Sequence, residues 1–226
     1  QLLREAKDIS RIFETPYHIH VSETSGEVED SREERDMTPL EYLDDLDLVN
    51  DDLIAAHGVW LTSGELDVLE EKGGNVVHNP AANLKLGSGI ADVPGFLDRE
   101  INVALGTDGV ASNNNLNMFE EMKITAILHK RESPLNIDEQ QVLDMATVNG
   151  AEALGLEDEI GSVEIGKKAD LITVDLDNPG MRPVHDRKTL LSHLVYSFGG
   201  DVIDVIVDGR IRVRDGKLVT LSMDKV

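Results

Sequence analysis

Four short apolar stretches, spaced along the first half of the chain, each carry a chemically capable side chain at or near their C-terminal end. They are PYHIHV (16–21) with His20, DLIAAHGVWL (52–61) with His57, GNVVHNP (74–80) with His78 and Asn79, and INVALGTDG (101–109) with Asp108. Helical patterns separate them: QLLREAKDISRIFE (1–14), a region around 38–46, SGELDVLEEKG (63–73) and a short turn around 93–99. After the fourth stretch come NMFEEMKITAILHKR (117–131) and DEQQVLDMATVNGAEALG (138–155). Thr62-Ser63 with Glu65 predicts an N-cap, and Gly73-Gly74 a C-cap. Strands alternating with helices predict a parallel sheet, and near-continuous apolar strands predict burial on both faces. A doubly wound sheet gathers its ligands at one switch point, whereas a TIM barrel places them at the C-terminal ends of successive strands. The pattern here favours the barrel.

From about residue 160 the character changes. GSVEIGKKADLITVDL and DVIDVIVDGRIRVRDGKLVTL are rich in β-formers, and Asp208-Gly209 and Asp215-Gly216 between apolar runs predict tight hairpins. The expected organisation is therefore an α/β unit over residues 1–159 and a small β-sandwich segment over 160–226, with one helix returning to the first unit.

Composition narrows the chemistry. Cysteine is absent, so disulfides and thiolate zinc sites are excluded and a metal must sit on His and carboxylate. Forty-four acidic residues against 21 basic ones give a net charge of -23, spread along the whole chain. Such a surface repels phosphates, which disfavours nucleic acid and anionic membranes as partners. It fits a protein at home in high salt, where screening removes self-repulsion. Aromatic residues at 4% offer no stacking platform for single strands. With no long apolar run and no signal-like start, the expected location is the cytoplasm. The chain opens with Gln1 inside a helical pattern, which predicts a piece of a longer gene product.

His18 and His20 alternate on one strand, so their rings share a face. Glu23 follows three residues on. Asp108 stands between Gly106 and Gly109 directly after an apolar strand, where an acid needs a positive partner or a turn to stabilise. His and carboxylate groups at successive strand ends suit a catalytic zinc site with an open position for water. A site made of His18, His20, His57 and Asp108 is the self-contained alternative. His78 reads as orienting its loop, His129 as a surface or packing residue, and His185 and His193 carry no companion acids.

HIHVSET, AAHGVWL, HNPAANLKLGSGIADV and LGTDGVASNN resemble the consecutive signature blocks of the amidohydrolase superfamily, in its order and spacing. More narrowly they resemble the 5'-methylthioadenosine/S-adenosylhomocysteine deaminase group and its chlorohydrolase-like and guanine deaminase relatives. The resemblance covers nearly the whole chain, including KKADLITVDLDNP and VDGRIRVRDGK. It implies the second half of a metal-dependent hydrolase TIM barrel, strands five to eight, plus part of a β-sandwich domain. It implies His20 and Asp108 as metal ligands, Glu23 as the proton shuttle, and His57 as the contact to the attacking water. Glu23, His57 and Ser112 would also meet the substrate, a small purine nucleoside, and His18 would be no ligand. The cofactor would be Zn2+ or another divalent ion such as Fe2+, Mn2+ or Ni2+, and the intact enzyme a homo-oligomer. The family's own HxH block and its first four strands have no counterpart here, so half the expected ligands are missing and two parallel sheet edges stay open.

Overall fold

A computed structural model describes residues 1–131, 133–199 and 201–219. Its first part runs α1 (Leu2–Ile12), β1 (Tyr17–Val21), α2 (Ser25–Arg35), α3 (Pro39–Asp45), β2 (Leu53–His57), α4 (Ser63–Lys72), β3 (Asn75–His78), α5 (Pro80–Leu86), α6 (Val93–Leu97) and β4 (Val103–Leu105). Then follow α7 (Val110–Asn113), α8 (Met118–His129), α9 (Glu139–Met145) and α10 (Val148–Ala153). The four strands form one parallel sheet in chain order. Their register, Val21 beside His57 and His78 beside Leu105, brings their C-terminal ends to one edge of the molecule. β2 and β4 are buried along their whole length, as both-face coverage predicts. β1 alternates between half-buried and exposed up to His20 and ends at buried Val21.

Helix caps fix where each strand's successor turns. Thr38 and Thr62 each form a reciprocal capping box, with Glu41 and Glu65. Glu65 does more than cap: buried to 2% exposure, it also accepts the Thr38 hydroxyl at 2.5 Å, locking α3 to α4. Gly73 closes α4 in the left-handed conformation, as expected. At the opposite end of the sheet, buried Lys7 reaches Asp52 at 2.8 Å and Asn50 at 3.0 Å, tying α1 to the turn before β2. The apolar residues Leu2, Ile9, Ile12 and Phe13 of α1 face outward.

Three elements differ from the sequence expectation. Residues 25–35 form α2, although only Val28 and Ser31 are buried and the apolar stripe is too thin to read; the Thr24 cap on the Glu27 amide starts it. Within HNPAANLKLG, where no helix was expected, Pro80 opens α5 and left-handed Gly87 stops it. Residues 138–155 make two helices, broken at Thr147, because Asn149 turns back to donate to the Val103 carbonyl of β4 at 2.9 Å.

Beyond α10, β5 (Leu171–Val174) precedes α11 (Arg187–Ser192) and a π-helical turn, His193–Ser197. β6 (Val202–Val207), β7 (Arg210–Arg214) and β8 (Lys217–Leu218) complete a four-stranded antiparallel sheet in chain order. Both expected hairpins form, with positive φ at Asp208, Gly209, Asp215 and Gly216. Among the described residues this is a single sheet, and residues 220–226 of the expected β segment lie outside them. The π-helical turn and its flank pack on α8: Phe198 stacks on Phe119, Tyr196 accepts from Lys130 at 2.6 Å, and Val195 enters the core. No helix among the described residues is long and apolar enough to cross a membrane.

Candidate metal centre

The residues after β1 and at the end of β2 leave the extended conformation abruptly. Ser22 (φ 51), His57 (φ 74) and, past β4, Asp108 (φ 55) all sit in the left-handed region that non-glycine residues avoid. Each kink swings a functional side chain over the strand ends, and each is held by local bonds. Glu27 accepts the Ser22 and Glu23 amides at 2.9 and 2.6 Å, which pins the turn carrying Glu23. The Gly58 amide returns to the Val21 carbonyl at 3.1 Å behind His57. Before Asp108, Gly106 packs so closely on Asn79 that a Cβ there would stand 2.4 Å from its Oδ1.

These turns bring His20, His57 and Asp108 together, with one ligand atom from each lying within 4.8 Å of the others. His20 is exposed, His57 fully buried and Asp108 half-buried. The rings of His20 and His57 meet edge to face at 4.6 Å between centroids. Glu23 Oε2 stands 3.9 Å from both His20 Nδ1 and His57 Nε2. Burial pushes the Asp108 carboxyl up. The Ser112 hydroxyl at 2.5 Å, the Gly109 backbone and the two imidazoles outweigh it, so the group lies below its usual range and is ionised at neutral pH. His18 stays outside this group: its ring lies 6.2 Å from that of His20, and burial with the neighbouring imidazoles lowers its pKa. Ser112 therefore touches Asp108 directly. The four-group alternative with His18 is not what the geometry forms.

A divalent ion fits this arrangement on its chemistry. Two imidazoles and an ionised carboxylate are the donor types of catalytic zinc. His57 Nε2 is buried and has no protein hydrogen-bond partner, as expected of an atom reserved for a ligand.

Several supporting residues escaped the sequence reading. Asn83 lies 2.8 Å from His57 Nδ1, and Ser88 donates to Glu23 Oε1 at 3.1 Å while its carbonyl accepts from Trp60. Buried Glu121 of α8 accepts from the Ala81 amide and from Asn113, which joins the segments after β3 and β4. Of the two readings of His129, surface or packing, packing holds: it is 5% exposed and its Nε2 lies 3.2 Å from His78 Nε2. The sequence signals for Asn83 were its place within the HNPAANLKLGSGIADV block and one helical turn after Asn79.

The amidohydrolase family model matches residues 1–212, and the chain belongs to that family. It is 47% identical over 225 residues to a 5'-deoxyadenosine deaminase of Methanosphaera stadtmanae, covering 98% of this chain and 52% of that protein. It is equally 47% identical over 227 residues to a 5-methylthioadenosine/S-adenosylhomocysteine deaminase of Acetivibrio thermocellus, covering 99% and 52%. A zinc-bound adenosine deaminase structure from Xanthomonas campestris superposes with a TM-score of 0.93 at 39% identity, over 99% of this chain and 51% of that one. Atrazine chlorohydrolase from Arthrobacter aurescens, complexed with zinc, gives 0.88 at 26% identity, over 96% and 48%. The chain thus spans about half the length of the relatives it matches.

Proposed function

We propose that this chain supplies the second half of a zinc-dependent hydrolytic deaminase of adenosine-type nucleosides. Residues 1–159 contribute strands five to eight of an eight-stranded α/β barrel, and 160–226 part of a β-sandwich domain. The observation that carries the reading is the convergence of His20, His57, Asp108 and Glu23 at the strand ends, in a chain 47% identical to two adenosine-type deaminases.

In this reading His20 and Asp108 hold the ion. When bound there, zinc would supply a water of pKa lowered towards ~7 and charge stabilisation for addition at the amino-bearing purine carbon. Asp108, already ionised, accepts a proton from that water. Glu23, its Oε1 fixed by Ser88, presents Oε2 to carry a proton to the ring nitrogen. His57 faces the entering oxygen. Collapse breaks the C–N bond and releases ammonia, the departing nitrogen taking the proton. Either 5'-deoxyadenosine or an adenosine thioether, methylthioadenosine or S-adenosylhomocysteine, is the substrate, and the intact protein is a cytoplasmic homo-oligomer. Hydrolytic dechlorination of a triazine is the second reading, favoured by one zinc-bound likeness but at 26% identity against 47%.

The test is the zinc-loaded full-length gene product offered 5'-deoxyadenosine, methylthioadenosine, S-adenosylhomocysteine, guanine and atrazine, with ammonia and chloride followed. Ammonia from the adenosine compounds, abolished by Asp108→Asn, is the expected result. Turnover of guanine or atrazine alone overturns the substrate class, and an Asp108→Asn variant of full activity overturns the site.

A further inference from the structure

His57 has two ring nitrogens, and the structure gives each a different surrounding. Nδ1 lies 2.8 Å from Asn83 Oδ1, while Asn79 Nδ2 is more distant at 3.5 Å. With its oxygen turned to the ring and its own Nδ2 buried without a partner, Asn83 accepts, which places the hydrogen of the neutral ring on Nδ1. A neutral imidazole has one N–H, which leaves Nε2 with a bare lone pair. The opposite tautomer would set two lone pairs against each other at 2.8 Å.

We infer that Asn83 is a positioning residue that holds His57 in its Nδ1–H tautomer and makes Nε2 an acceptor facing His20 and Asp108. In that state Nε2 can bind a cation or accept a hydrogen bond from water, and it donates none. The segment is built to keep Asn83 in place. Asn83 is 1% exposed on α5, its amide bonds the Asn79 carbonyl, and its own carbonyl accepts the Ser88 amide at 2.9 Å. Glu121 anchors the same helix through the Ala81 amide. One short segment thus orients two functional groups, His57 through Asn83 and Glu23 through Ser88. The catalytic meaning of the tautomer rests on the deaminase reading above, but the tautomer itself does not.

The experiment is long-range proton–nitrogen NMR of the 15N-labelled 226-residue chain without metal, with the ring neutral. His57 is assigned by the signals lost in His57→Gln. Wild type is expected to show Nδ1 protonated and Nε2 bare. Asn83→Asp, which keeps an acceptor oxygen, should preserve a protonated Nδ1. Asn83→Leu, close in shape but without an acceptor, should give a mixture or the Nε2–H form. An Nε2–H form in wild type overturns the inference, as does a folded Leu variant that keeps the Nδ1–H form. If Asn83→Leu does not fold, the wild-type and Asn83→Asp spectra decide alone. A full-length protein without deaminase activity leaves the spectrum unchanged, so the two failures are distinguishable.

Discussion

The buried pair His78–His129 makes the stability of this chain depend on pH in a direction that can be worked out. His78 ends β3, His129 ends α8, and their Nε2 atoms stand 3.2 Å apart. Both rings are buried, with exposures of 0% and 5%. Burial lowers the pKa of His129 from 6.5 to about 4, and burial with the neighbouring imidazoles lowers that of His78 further below its ordinary value. Two neutral rings satisfy one contact by having one donate and the other accept. A proton added to either ring must enter without solvation.

In the unfolded chain His129 takes a proton near its ordinary value of 6.5, whereas in the folded chain it does so only near 4. Above pH 7 neither state is protonated there and the pair has no pH effect. As pH falls through 6.5 the unfolded state gains a proton that the folded state refuses, so stability is lost until the folded ring titrates too. The full gap is worth about 3 kcal/mol, of which about 2 kcal/mol is already lost at pH 5. The many carboxylates also titrate in acid, so the measurement is a difference. Urea unfolding of wild type and His129→Phe is followed at pH 7.5, 6 and 5. The variant starts less stable, because His78 Nε2 loses its partner. Its deficit should shrink by about 2 kcal/mol between pH 7.5 and 5. A deficit that stays constant or widens refutes the argument.

Other perturbations test the scaffold. Glu65→Ala removes the acceptor of the Thr38 hydroxyl and of the Thr62 amide together. Denaturant unfolding should show a loss of about 2–4 kcal/mol, from one cap and one orphaned buried hydroxyl. With a net charge of -23, stability should rise from low to molar KCl as self-repulsion is screened, and an unchanged midpoint across that range counts against a salt-adapted surface.

The parallel strands were legible because their apolar runs are dense, and the hairpins because Asp-Gly demands positive φ. The α4 caps were legible because Thr62 and Glu65 stand three apart, as a capping box requires. α2 was not, since its buried face amounts to Val28 and Ser31 and the rest is charge. Site residues split the same way. His20, Glu23, His57, Asp108 and Ser112 stand at strand ends or within signature blocks, so position alone marks them. His129 reads as an ordinary helix residue, and only the packing of α8 against the end of β3 brings it to His78.

The left-handed backbone at Ser22, His57 and Asp108 ties these observations together. Such conformations cost of order 1 kcal/mol or more each at non-glycine positions and persist only where surroundings over-determine them. Here the surroundings are identifiable: Glu27 under Ser22, Asn83 and the Gly58–Val21 bond around His57, Ser112 beside Asp108. None of these partners holds its position by local sequence alone except Glu27 and Ser112. Asn83 comes from the helix after the next strand, and Ser88 from beyond that helix. The segment after β3 therefore orients His57 and Glu23, so β1, β2 and β3 must assemble before these two groups acquire their orientation. A variant that unravels α5 should disorder both groups at once, whereas one confined to α2 should release Glu23 alone.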